Sequence, residues 1–247
     1  MNTLKVVDYI VKWLKDYAES SKMNGFVVGV SGGIDSAVTS ALCAKTGLPV
    51  LCVEMPIYQA ESQVSRAKLH IENLKKNFPN VSSTNFDLSG VFDTFKNQDL
   101  FDNDHQLLDL SLANTRARLR MTTLYYFAGL KKYLVAGTGN KVEDFGVGFY
   151  TKYGDGGVDI SPIADCNKTD VWEMGRELNI LKEIIDAPPT DGLWDDGRTD
   201  EGQLGFKYKD LEDAMTNPDS AHKVEYEKIR KQNLHKMEPI PVCKIPS

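Results

Sequence analysis

The sequence predicts an α/β protein: a doubly wound, mostly parallel sheet with helices on both faces. Three observations carry that expectation. Short apolar runs at 26–28, 49–54, 81–86 and 133–136 have the length of buried strands. Longer segments, most with helical spacing, separate them, and such alternation implies parallel pairing through right-handed crossovers. Two of the runs also end in glycine-rich turns, at the strand tips where ligands collect in doubly wound sheets.

In chain order, Leu4, Val7, Ile10, Val11, Leu14 and Ala18 recur at helical spacing, so residues 3–21 should form an amphipathic packing helix. The first strand runs into Gly29-Val30-Ser31-Gly32-Gly33-Ile34-Asp35-Ser36, with a helix expected over 37–45. Adjacent glycines remove side chains that would keep a phosphate off the backbone, and they tolerate positive φ. The first N–H groups of the following helix point at any anion in the turn, and Ser31 and Ser36 can add hydroxyl donors. Asp35 is out of place beside a polyanion unless a divalent cation lies between them. The turn is not a P-loop, because it has no Gly-Lys-Ser/Thr ending, and it lacks the third glycine of the dinucleotide fingerprint.

Met55 follows the second strand, where it can pack on an adenine face or simply fill the core. A helix is expected over 59–77 and a third strand over 81–86. Residues 102–129 form a long helical region whose apolar side chains, Leu107, Leu119, Tyr125 and Phe127 among them, spread around the axis. Such a helix is buried in the core or in an oligomer interface. At about 100° per residue, Arg116 and Arg120 share a face, which a solvated position explains; Arg118 lies with Asn114 and Thr122. Arg118 is therefore the better candidate for a buried anion or carboxylate partner.

The fourth strand leads into Gly137-Thr138-Gly139-Asn140-Lys141-Val142-Glu143, which should face the same crevice as the first turn. Glu143 can join Asp35 as a second carboxylate on Mg²⁺. Residues 149–162 mix aromatics, glycines and carboxylates, the composition of a functional loop. Lys168 begins a helix expected over 165–178, a position unfavourable for the helix dipole without an anion nearby. Residues 191–202 read as a mobile flap, and 204–215 with 222–236 as two closing helices.

The bulk numbers narrow the function. With 41% apolar and 26% charged residues over 247 positions, the chain can bury a core. Its net charge of −6 argues against nonspecific nucleic-acid binding. No stretch approaches the roughly 18 apolar residues that span a bilayer. Cys43, Cys52, Cys166 and Cys243 lack metal-ligand spacing, so reduced thiols in a cytoplasmic protein are expected.

The Ser31-to-Ser36 turn resembles the pyrophosphate loop of the ATP pyrophosphatases. With 137–143, Thr151-Lys152-Tyr153-Gly154-Asp155-Gly156-Gly157-Val158-Asp159 and Asp200-Glu201-Gly202-Gln203-Leu204-Gly205 added, nearly the whole chain is similar to the bacterial ammonia-dependent NAD⁺ synthetases. The resemblance implies one domain over 1–247 with an adenine-nucleotide α-hydrolase-like, Rossmann-like fold and mobile loops near 149–157 and 191–202. It implies ATP- and Mg²⁺-dependent amidation of deamido-NAD⁺ by ammonia, and a homodimer with the dinucleotide across the interface. By that resemblance, Gly29 to Ser36, Thr138, Lys168 and Thr190 bind ATP, with Lys168 on the phosphates, and Asp35 with Glu143 holds Mg²⁺. Arg118, Lys152, Asp159, His235 and Lys236 match deamido-NAD⁺ positions, and Asp155 an acidic residue that positions ammonium and accepts its proton. Gly139-Asn140 departs from members with Asp-His there. The alternative, a tRNA-modifying pyrophosphatase of the same superfamily, calls for a basic surface.

Overall fold

The computed structural model describes residues 2–98, 107–190, 192–194 and 199–245. Its first part runs α1 (Thr3–Ser20), β1 (Phe26–Gly29), α2 (Ile34–Lys45), β2 (Val50–Glu54), α3 (Glu61–Asn77), β3 (Val81–Asn85), α4 (Ser89–Lys96) and α5 (Leu108–Lys131). After β4 (Leu134–Val135) and a π-helical turn (Lys141–Val147) come α6 (Lys168–Glu177), α7 (Lys182–Ile185), α8 (Asp200–Leu204), α9 (Tyr208–Thr216) and α10 (Lys223–Met237).

The four strands pair in parallel in the order β3-β2-β1-β4. The chain winds outward from β1 to β3, then returns to place β4 on the other side of β1. The order therefore reverses between β1 and β4, and that switch point is where both glycine-rich turns emerge. Alternation along the strands splits the core in two. Phe26, Val28, Val50 and Cys52 pack with α1, α2, α3 and α6, while Val27, Leu51, Val53 and Val135 pack with Ala128 of α5. A smaller cluster joins the π-helical turn to α9 and α10 through Val142, Val147, Tyr208, Leu211 and Tyr226.

Several boundaries differ from expectation. The helix after the first turn begins at Ile34 rather than 37, so Ile34, Asp35 and Ser36 belong to its first turn. The segment expected as one helix over 204–215 is broken: Gly205, with φ of +76°, ends α8, and α9 starts at Tyr208. The start of the expected 102–129 helix lies outside the described residues before 107. The solvated and buried arginines of α5 are exchanged. Arg116 is buried, stacked 4.3 Å over the Phe92 ring and donating to the Leu193 carbonyl at 2.8 Å. Arg118 is exposed and reaches the Lys152 carbonyl at 3.4 Å. Helical geometry assigns the face shared by Arg116 and Arg120 correctly, but α4 and the residues near 193 cover it.

Candidate active site

The first turn is held open by its own side chains. Ser36 Oγ accepts from Ser31 N at 3.2 Å and donates to the Gly33 carbonyl at 3.0 Å. Gly33 is the N-cap of α2 and carries no capping side chain, so the first amides of that helix are left to an incoming anion. Gly32 sits at φ +84°, and a Cβ there would stand 2.5 Å from the Gln63 carbonyl oxygen of α3. Only glycine fits that backbone and that gap.

The second turn is built differently. Asn140, fully buried, accepts from Val142 N and Glu143 N at 3.1 Å each, caps the π-helical turn, and donates through Nδ2 to Asp35 Oδ1 at 3.1 Å. One side chain thus joins the two turns. Gly139 needs its lack of a side chain, because a Cβ would stand 1.8 Å from the Asp144 carboxylate.

Lys168, at the start of α6 and 1% exposed, ends between them: its Nζ lies 2.5 Å from Asp35 Oδ2 and 2.9 Å from Glu143 Oε1. The lysine that is unfavourable for its helix dipole is held by two carboxylates. Burial would lower its pKa, but those carboxylates raise it above the ordinary lysine value, so it stays charged. Burial also drives Asp35 up, and Lys168 only partly opposes this. At Glu143 burial pushes the same way, yet Lys168, the Tyr208 hydroxyl and Asn140 together bring the carboxyl below its ordinary value. One ammonium serving two carboxylates titrates with them as a unit.

Two members of this cluster were not singled out from the sequence. Tyr208, 2% exposed, donates to Glu143 Oε1 at 2.6 Å and approaches Asp200 Oδ2 at 3.3 Å, with its ring 5.0 Å from Lys168 Nζ. Asp144 lines the same space, its carboxyl raised well above the ordinary value by burial and by Asp155, Glu143 and Asp35. The Asp200-to-Gly205 motif pointed near Asp200; nothing in sequence spacing pointed to Tyr208.

Asp35, Glu143, Asp144 and Asp200 line a cavity of about 260 Å³ at the switch point. Gly29, Val30, Ser31, Gly33, Ile34, Asp35 and Ser36 line it, together with Thr138, Glu143, Asp155 and Thr190. Gly32 and Lys168 stand just behind its wall. Met55 lines the cavity and packs on the α5 side of the sheet.

The other predicted residues gather elsewhere. Lys152 Nζ donates to the His235 carbonyl at 2.8 Å, and Lys236 Nζ to the Gly148 and Tyr150 carbonyls at 2.8 and 2.9 Å. Asp159 accepts from Val135 N at 2.8 Å and from the Tyr125 hydroxyl at 3.0 Å. With Arg118 they form a surface around 148–159 and the end of α10, outside the cavity.

A parallel sheet with an uncapped phosphate turn and a carboxylate–lysine cluster at its switch point defines a nucleotide-binding α/β protein. The NAD synthase family model matches residues 6–245, and the chain belongs to that family. An NH3-dependent NAD⁺ synthetase of Carboxydothermus hydrogenoformans is 36% identical, over 96% of each chain. The NMN synthetase of Francisella tularensis is 30% identical, with a TM-score of 0.89 over 99% of this chain and all of that one. The Campylobacter jejuni NH3-dependent NAD synthetase, at 24% identity and a TM-score of 0.78 over 99% of this chain and all of that one, shares the fold. No helix among the described residues is long and apolar enough to cross a membrane.

Proposed function

We propose that the chain is an ammonia-dependent NAD⁺ synthetase, amidating deamido-NAD⁺ to NAD⁺ while ATP is split to AMP and pyrophosphate. One observation carries the reading: the carboxylates of two neighbouring strand tips converge on a single cation beside an uncapped phosphate turn. A nicotinate carboxylate is a poor electrophile because its leaving group would be oxide. Its oxygen attacks the α-phosphorus of ATP, pyrophosphate leaves, and the acyl adenylate then loses AMP to ammonia.

The chain's residues are suited to both halves. The amides opening α2 bind the phosphates, and Lys168 holds a fixed positive charge behind them. Two hard carboxylate oxygens beside a phosphate turn suit Mg²⁺, which takes few protein oxygens plus phosphate and water, so Asp35 and Glu143 would hold it. When bound it supplies charge neutralisation for the displaced pyrophosphate. Asp155, on the cavity wall, positions ammonium and takes its proton. Thr138 and Thr190 complete the ATP contacts.

Arg118, Lys152, Asp159, His235 and Lys236 bind deamido-NAD⁺ on the surface beyond the cavity, completed by a second copy of the chain. Their position outside the cavity lining supports that division. So do Leu107, Leu110, Tyr126 and Leu130, exposed at 49–66% on or beside α5. The chain folds as one domain, works in the cytoplasm with its thiols reduced, and binds neither nucleic acid nor membrane. Sedimentation equilibrium tests the dimer. NAD⁺ forming with AMP and pyrophosphate in equal amounts, from ATP, Mg²⁺, ammonium and deamido-NAD⁺, tests the reaction. ATP cleavage seen only with tRNA would favour the modifying enzymes instead.

The likeness to the Francisella enzyme favours a second reading, in which the nicotinate carrier is the mononucleotide and the product NMN. The adenylation chemistry is the same. Specificity constants for the two carriers, measured side by side, separate the readings.

A further inference from the structure

We infer that Arg66 is an additional phosphate ligand that closes on the β,γ-pyrophosphate end of a nucleoside triphosphate from the α3 side. The inference rests on the nucleotide reading above but is tested apart from it.

The first turn lies directly against α3. A Cβ on Gly32 would meet the Gln63 carbonyl at 2.5 Å, Ala67 N at 3.0 Å and Arg66 Cβ at 3.3 Å. From that position Arg66 donates Nε to the Gly32 carbonyl at 3.2 Å, and its side chain lines the cavity. Pinning a guanidinium through Nε fixes its plane, and with it the direction of the two terminal nitrogens. Those nitrogens make no other hydrogen bond among the described residues. A forked donor held on the rim of a phosphate turn has the geometry that phosphate oxygens accept in pairs.

Charge points the same way. Asp35, Glu54, Glu143, Asp144, Asp155 and Asp200 line the cavity, and the only cationic side chains lining it among the described residues are Arg66 and Arg120. The Lys168 ammonium is already shared by Asp35 and Glu143. Arg120 hangs from the Met55 carbonyl at the tip of β2. Arg66 alone stands beside the turn that receives the polyphosphate.

The test is direct binding of inorganic pyrophosphate and of AMP to the full chain by titration calorimetry, for wild type, Arg66→Gln and Arg66→Lys. Arg66→Gln should weaken pyrophosphate about 10- to 100-fold and leave AMP unchanged, as loss of a charge-assisted pair does. Arg66→Lys, which keeps the charge without the fork, should recover part of the loss. In turnover, the KM for ATP should rise while that for deamido-NAD⁺ holds. Unchanged pyrophosphate affinity overturns the inference. So does equal weakening of pyrophosphate and AMP with a lowered Tm, which would make Arg66 only a brace for the Gly32 carbonyl. Wild-type protein that binds pyrophosphate in an Arg66-dependent way yet makes no NAD⁺ would refute the synthetase reading and leave this one standing.

Discussion

The two glycine-rich turns stand on adjacent strands, at the same end of one sheet, and do opposite things. The first, after β1, ends in a helix whose N-cap is glycine, so its leading amides stay available to an anion. The second, after β4, has the buried Asn140 to take up the leading amides of its helical turn, and what it offers instead is the carboxylate of Glu143. The same strand–glycine–helix pattern therefore leaves uncapped amides in one place and, in the other, a carboxylate that pairs with the Lys168 ammonium. Capping, a single side-chain choice, decides which.

Breaking the link between the turns should cost most. Lys168→Met leaves the half-buried Asp35 and Glu143 without their cation, and loss of one partner of such a cluster costs up to about 3–5 kcal/mol. Denaturant titration should show it, with a smaller loss for Lys168→Met in an Asp35→Asn background.

Acid should act on the first turn through its support as well as through the carboxylates. His70 of α3, fully buried, meets Ser40 Oγ of α2 at 2.9 Å, bracing the helix that carries the first turn. Burial pulls its pKa from 6.5 to about 4. The unfolded chain therefore binds the proton first: stability is whole above pH 6.5 and is lost as pH falls toward 4, by roughly 3 kcal/mol over that window. Stability against pH, compared with His70→Gln, isolates the term; identical slopes would refute it.

Asp35→Asn should lower kcat about 100-fold or more, as removal of a main electrostatic stabiliser does. Unchanged turnover would remove Asp35 from the metal role. Gly32→Ala forces an L-residue into positive φ against α3, costing about 1–3 kcal/mol and raising the KM for ATP ahead of that for deamido-NAD⁺. Tyr208→Phe keeps the packing and removes one hydrogen bond to Glu143, worth about 1 kcal/mol. It should touch the carboxylate side of the site and leave AMP affinity alone, which sharpens the division between the turns.

The comparison also explains what could be read in advance. Phe26-Val27-Val28 followed by paired glycines is a local pattern, and local patterns survive folding; the same holds for 133–143. The convergence of Asp35 and Glu143 followed from two such patterns on neighbouring strands. Lys168 was legible because a lysine opening a helix is a local anomaly. Tyr208 gave no such sign: its role comes from α9 packing back onto the π-helical turn, a contact 65 residues away along the chain. Arg116 and Arg118 show the same limit, since helical periodicity sorts residues into faces but does not say which face another element will cover. The π-helical winding of 141–147 was also hidden; Asn140 caps it, and Lys141 N donates to the Cys166 carbonyl, a partner distant in sequence.

β4 is two residues long and pairs with β1 as its one partner strand; its other side is met only by the 159–160 segment, where Asp159 N donates to the Val135 carbonyl at 3.0 Å and Gly137 N to the Ile160 carbonyl at 2.8 Å. The carboxylate turn hangs from this short strand, braced outside by a loop segment, whereas the first turn hangs from a strand flanked by a strand on each side. Partial opening should start at that short strand and carry Glu143 away while β1, β2 and β3 remain paired. On warming, the protein should then stop turning over before its sheet melts, and a bound nucleotide that spans both turns should postpone the first event more than the second.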